Sequence, residues 1–307
     1  MRLTIPEFDT FNGSYMDSLK ATLCLISYQA LRLNEKYPNS AIDDLTGYRV
    51  AILLKILRCF HSFIKVVDEV KDYITGASIL RIIADNLASF ILIYHDGNEE
   101  QMKLRHFLFI LDGLNSRLKG FNRHEIIKTE YITDTEFQAL KKQIEDSIDN
   151  TKEGMNFCLE RIHSMPLYRQ HKKSIDTLIA QGYNWKFKNI DSPKNNLSWQ
   201  KMYEMIDTKK SMTDMLSFFS QYVHGLSISN LTIDTSDETF EPLIGFAIAL
   251  LGKVNTIINN DFGVDKLLLL KGFMQSDYGT EYLSYYSTSK LNEFINILNQ
   301  STNRKQE

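Results

Sequence analysis

Arg81 and Asp85 stand four residues apart with Asn86 beside them, so on a helix a guanidinium and a carboxylate share one face. That pairing supports two kinds of chemistry. The charges can close on each other as an internal clasp, or they can line a cleft where the cation steadies an anion and a neighbouring group moves a proton. Arg105 and Asp112 repeat the two residue types seven positions apart, amid Phe107, Leu108, Phe109, Ile110 and Leu111. A third polar face runs from Thr213 to His224, where Ser217, Ser220, Gln221 and His224 lie opposite Met215, Phe218, Phe219 and Tyr222. In a catalytic reading His224 is the general acid or base, Arg81 the anion stabiliser and Asp85 a further candidate. In a structural reading both Arg–Asp sets are ion pairs, and His224 caps a helix C-terminus. Trp185 then anchors a loop.

Several chemistries lack their residues altogether. The chain has no Gly-x-Gly-x-x-Gly, no P-loop, no Gly-x-Ser-x-Gly and no Cys-x-x-Cys. One Glu-x-x-His occurs, Glu160 to His163, but a di-iron bundle needs a second such pair and two more glutamates. No metal and no cofactor are expected. Arg117 and His124 have the Arg-to-His spacing of HEPN (higher eukaryotes and prokaryotes nucleotide-binding) ribonucleases, a spacing that chance readily supplies.

Those residues need helices to hold them, and the pattern supplies little else. Apolar residues recur at three and four positions, with only five prolines and fourteen glycines in 307 residues. Helices are expected over about Ser14–Leu33, Leu45–Tyr73, Gly76–Tyr94, Glu99–Leu118, Asp134–His163, Trp199–Ile206, Thr213–His224, Glu241–Asn260, Val264–Phe273 and Thr280–Leu298. Ile79, Ile82, Ile83, Leu87, Phe90, Ile91 and Ile93 wrap most of the Gly76–Tyr94 helix, which marks it as buried. The expected fold class is all-α, an irregular multi-helix bundle in one body or in two packed helical subdomains. The divisions are 1–181, a loop or lid at 182–197, 198–300, and a tail at 301–307.

A hydrophobic fraction of 43% with 24% charged residues is ordinary for a globular protein, and the net charge of −3 offers no bulk attraction to nucleic acid. Cys24, Cys59 and Cys158 are few, scattered and in apolar helical contexts, which fits a reducing compartment. Without an apolar signal core or a charge-free span of bilayer length, a cytoplasmic protein with no membrane association is expected.

Taken together, Arg81-x-x-x-Asp85-Asn86, Arg105, Asp112, Trp185, Tyr203 and Ser220-x-x-Val-His224 resemble an uncharacterised family of bacterial helical proteins, a domain of unknown function. The similarity covers about Leu45 to Leu226. It implies kinship with helical modules found near stress and defence functions, and it carries no established activity. Three functions follow as expectations. The first is an interaction module that binds a protein partner or small ligand. The second is a HEPN-like, metal-independent ribonuclease using His224 and Arg81. The third is a small-molecule sensor with a pocket between the helices carrying Arg81, Asp112 and His224.

Overall fold

The computed structural model describes residues 14–38, 41–122, 127–206, 210–223, 237–263 and 271–285. They form helices α1 (Tyr15–Lys36), α2 (Leu45–Ile64), α3 (Tyr73–Tyr94), α4 (Glu99–Asn122), α5 (Asp134–Ser164), α6 (Pro166–Ala180), α7 (Trp199–Glu204), α8 (Lys210–Val223), α9 (Asp237–Asp261) and α10 (Asp277–Ser284). Among the described residues there is no strand, and the one isolated bridge joins Phe187 to Asn196 in antiparallel sense. The protein is all-α, a multi-helix bundle.

The chain divides into two compact units, the first taking in the described residues up to Ala88 and from Tyr203 onward, the second Ser89–Met202. In the first unit α1 packs on α2, α9 and α10. Its Leu19, Leu23, Ile26 and Ala30 form the buried stripe that helical spacing anticipates. Ser14 caps its N-terminus by accepting the Asp17 amide at 3.3 Å. Ala21 and Cys24 meet Phe273 and Tyr282 in a tight cluster.

That closeness depends on Gly279, because a Cβ there would collide with the Phe273 carbonyl oxygen and stand 2.8 Å from the Met274 Cα. Backbone cannot swing aside as a side chain can. Gly279→Ala is therefore expected to destabilise the first unit by about 3 kcal/mol, the upper part of the overpacking range. Thermal or urea unfolding beside Gly120→Ala, at a position with open space around it, provides the check.

The single helix expected over Leu45–Tyr73 is broken. The α-helical part ends at Ile64, a π-helical stretch runs over Lys65–Val70, and Lys71 adopts a left-handed conformation (φ 59°). Asp72 then starts α3 by accepting the Thr75 amide at 3.0 Å. An Asp side chain that caps a following turn competes with helix continuation, which apolar periodicity alone does not reveal.

Helix α3 and the Phe240–Asp261 part of α9 are long and apolar enough to cross a bilayer, with mean hydropathies of 1.6 and 1.4 over their most apolar windows. More than half of each window is buried inside the protein, as in the core helices of globular bundles.

In the second unit α4 and α5 pack side by side and α6 lies against both. Thr133 and Glu136 start α5 with a reciprocal capping box. Pro166, expected only to end the preceding helix, occupies the first turn of α6, where its missing amide costs nothing. Residues 182–197, expected as a lid or linker, lie within this unit, with Trp185, Phe187 and Ile190 buried.

Candidate functional site

In the first unit, Arg81 and Asp85 close on each other. Arg81 Nε lies 3.0 Å from Asp85 Oδ1, and Tyr203 donates its hydroxyl to the same carboxylate oxygen. Arg81 Nη1 donates to the Leu216 carbonyl at 2.9 Å, and the guanidinium lies over the Tyr203 ring at 4.7 Å. Three elements are thereby joined: α3 carries the ion pair, α7 brings the phenol, and α8 offers a backbone acceptor. The Arg81 side chain is 14% exposed and that of Asp85 34%, so the clasp sits at the edge of the core. Burial, then the hydrogen bond to Asp85, pushes the Tyr203 phenol far above its ordinary range and keeps it a donor.

Asn86 belongs to a neighbouring contact. It accepts from Lys55 Nζ at 2.9 Å and donates to the Ile82 carbonyl at 2.7 Å, which ties α2 to α3. On α8, Ser217 is exposed and bonds back to the Thr213 carbonyl at 3.0 Å, while Ser220 is half-buried and Gln221 exposed. Leu216, Phe219 and Tyr222 turn inward. His224 lies outside the described residues, as does His124, the second half of the ribonuclease-like spacing. Arg117, the first half, lies over the Phe121 ring at 5.6 Å.

The second unit holds Arg105, Asp112 and Trp185, and it corrects the pairing of the first two. Seven helical residues span about 10 Å, too far for direct contact. Arg105 instead reaches Asp96 Oδ2 at 2.8 Å, the Asp96 carbonyl and the Leu92 carbonyl at 3.1 Å, so it caps the C-terminus of α3. Its Nη2 donates to the Phe187 carbonyl at 3.3 Å and its guanidinium lies over the Phe187 ring. At 2% exposure this is among the largest fully buried side chains of the protein. Asp112 accepts from Trp185 Nε1 at 3.2 Å, and the indole packs edge-on against Phe109. Asn184 completes the anchoring of the loop by donating to Pro193 O at 3.3 Å and Asn196 Oδ1 at 2.5 Å.

Other polar contacts carried no advance signal. Tyr94 and His106, both buried, meet at 2.9 Å in the second unit. Ser27 Oγ and His61 Nε2 meet at 3.1 Å between α1 and α2. Ser27 stands in mid-helix, where neighbouring amides are committed to the helix and cannot form an oxyanion hole. Burial lifts the thiols: Cys24 is pushed up to about 12, with Glu281 adding to the effect, and Cys158 to about 11. Both behave as small apolar groups. No cluster of three or more His, Cys, Asp or Glu side chains among the described residues could hold a metal ion.

No protein-family model, curated protein or solved structure matches this chain.

Proposed function

We propose that this protein is a helical interaction module that binds a protein partner in the cytoplasm. The observation that carries the reading is the display of two large apolar side chains beside the clasp. Ile82, next to Arg81 on α3, is 45% exposed, and Phe218, two residues beyond the Leu216 acceptor on α8, is 36% exposed. Arg81 ties these helix segments together, so the apolar groups project from a braced base. Braced apolar anchors with polar neighbours such as Ser217 and Gln221 suit a protein interface. Arg81 and Asp85 act as the brace beneath it, and Asn86 and Ser220 stand at its margins. The resemblance to helical modules near stress and defence functions favours a partner from those systems.

The test is recovery of partners by in-cell crosslinking with the wild-type chain and with Ile82→Asp/Phe218→Asp. Both side chains are partly buried and Phe218 packs edge-on against Tyr222, so some loss of stability is expected, and the helical circular dichroism of the variant is read beside the recovery. A partner recovered in near-equal amount with wild type and lost with the variant is the expected result. Identical recovery from both overturns the assignment to this face.

A further inference from the structure

The net charge of −3 conceals an uneven spread within the second unit. Seven of the 35 Lys and Arg fall within 165–202, against two of the 38 Asp and Glu. Both of those acids are occupied: Asp176 accepts the Tyr168 hydroxyl at 2.8 Å, and Asp191 meets His171 Nδ1 at 2.9 Å. Among the described residues, the side chains of Arg169, Lys172, Lys173, Lys186, Lys188 and Lys194 make no hydrogen bond and no ion pair. Lys186 is half-buried and the other five are exposed. Helix α5, which packs on α6, carries exposed Glu153 and Glu160, and neither pairs with these cations.

One contact gathers them. The 182–197 loop doubles back on itself, the Lys188 amide donating to the Asn195 carbonyl and the Leu197 amide to the Lys186 carbonyl, each at 2.8 Å. Lys188 and Lys194 flank its turn, each within about 11 Å of chain from Asp191. Asp191 holds that turn against His171, where α6 kinks. Lys172 and Lys173 follow directly, and with Asp176, Thr177, Ala180 and Gln181 they line an open groove of about 640 Å³ along one face of α6. At the base of the doubled loop the Lys186 ammonium lies 5.2 Å from the centre of the Trp199 ring and 5.8 Å from that of Trp185. Trp185 is buried, whereas Trp199 is only half-buried.

We propose that this face binds single-stranded nucleic acid, with phosphates on the unpaired cations and a base stacked on Trp199 beside Lys186. Unpaired cations around a groove select a polyanion. A half-open indole among them selects a polyanion that carries bases, the combination used in sequence-tolerant binding of single strands. A duplex keeps its base faces covered by neighbouring pairs and offers nothing to that ring. An anionic bilayer fits less well, because elements that bind its surface bury large apolar side chains. None of the exposed large hydrophobic residues falls within 165–202. Neither Ile82 nor Phe218 takes part, and the inference stands without the partner-binding role proposed for them.

Fluorescence anisotropy of a labelled oligothymidylate of about twelve nucleotides, titrated with the full chain, provides the test. A Kd of about 10 µM near physiological salt is expected, and with about four phosphates engaged, a roughly fifty-fold loss between about 50 and 200 mM salt. Lys172→Glu/Lys173→Glu and Lys188→Glu/Lys194→Glu are each expected to weaken binding at least about tenfold. Lys141→Glu/Lys142→Glu, exposed on α5, is expected to weaken it by less than about threefold. Trp199→Leu is expected to lose about tenfold for the oligonucleotide and nothing for inorganic polyphosphate, which has no rings. No binding by the wild type overturns the proposal, as do equal losses from the patch and α5 reversals. Oligonucleotide binding indifferent to Trp199→Leu, a duplex of equal length bound more tightly than the single strand, or binding to phosphatidylserine vesicles alone also overturns it. Should a variant lose its helical circular dichroism, the wild-type tryptophan fluorescence decides: quenching by the oligonucleotide and not by polyphosphate supports the proposal, and equal responses overturn it.

Discussion

Replacing Arg105 by methionine is expected to destabilise the second unit by about 3–5 kcal/mol, the cost of breaking a buried ionic contact. The side chain is 2% exposed and serves the Leu92, Asp96 and Phe187 carbonyls as well as the Asp96 carboxylate. Methionine fills much of the volume and supplies no donor, so carbonyls away from bulk water lose their partner. Arg105→Lys keeps the charge but not the planar fork, and falls in between. Asp96→Ala is expected to cost least, about 1 kcal/mol, since its carboxylate is 44% exposed and its neighbours keep the arginine. The order Met, Lys, then Asp96→Ala is read by urea unfolding. The fluorescence of Trp185, in the loop that Arg105 clamps through Phe187, reports the loosening. Equal effects from all three would mean that the carboxylate, not the carbonyl set, holds the arginine.

Those acceptors explain where sequence reasoning succeeds and where it stops. The Arg81–Asp85 contact was legible because its partners lie one turn apart on a single helix, and local geometry decides it. The burial of α1 along Leu19, Leu23, Ile26 and Ala30 followed from period alone. Arg105 was legible as a charge amid apolar residues, but its partners were not: three are backbone oxygens, which every residue carries and no residue type announces. Pairing it with Asp112 followed from shared face, yet axial rise separates the two. Tyr203 donates across 118 positions of sequence, and Ser27 meets His61 across 34. Such contacts depend on tertiary packing. Helix α6 went unmarked because proline both stops one helix and opens the next, and its apolar stripe is thin, with only Leu167, Ile175 and Leu178 buried. The exposure of Ile82 likewise escaped a reading in which α3 is apolar nearly all round.

The clasp makes the second large prediction, and it separates a brace from a site. Asp85→Ala removes the carboxylate that holds Arg81 at 3.0 Å and accepts the Tyr203 hydroxyl. Because Asp85 is a third exposed, water relieves part of the loss, and a cost of about 2–3 kcal/mol is expected instead of the full buried-pair value. Lys141→Ala, at an exposed position on α5, is expected to change stability by less than about 0.5 kcal/mol. Asp85→Asn keeps an acceptor for Tyr203 and is expected to cost about half as much as alanine, near 1 kcal/mol. Removing both charges together, Arg81→Met/Asp85→Leu, leaves no lone ion but takes a partner from the Tyr203 hydroxyl and the Leu216 carbonyl, and is expected to recover part of the stability lost in Asp85→Ala. Thermal melts of the four variants test the brace. Crosslinking of the double variant then tests the role: a brace restored by apolar packing keeps its partner, because Ile82 and Phe218 stay in place. A double variant that melts like wild type yet loses its partner would assign the two charges to the contact surface itself.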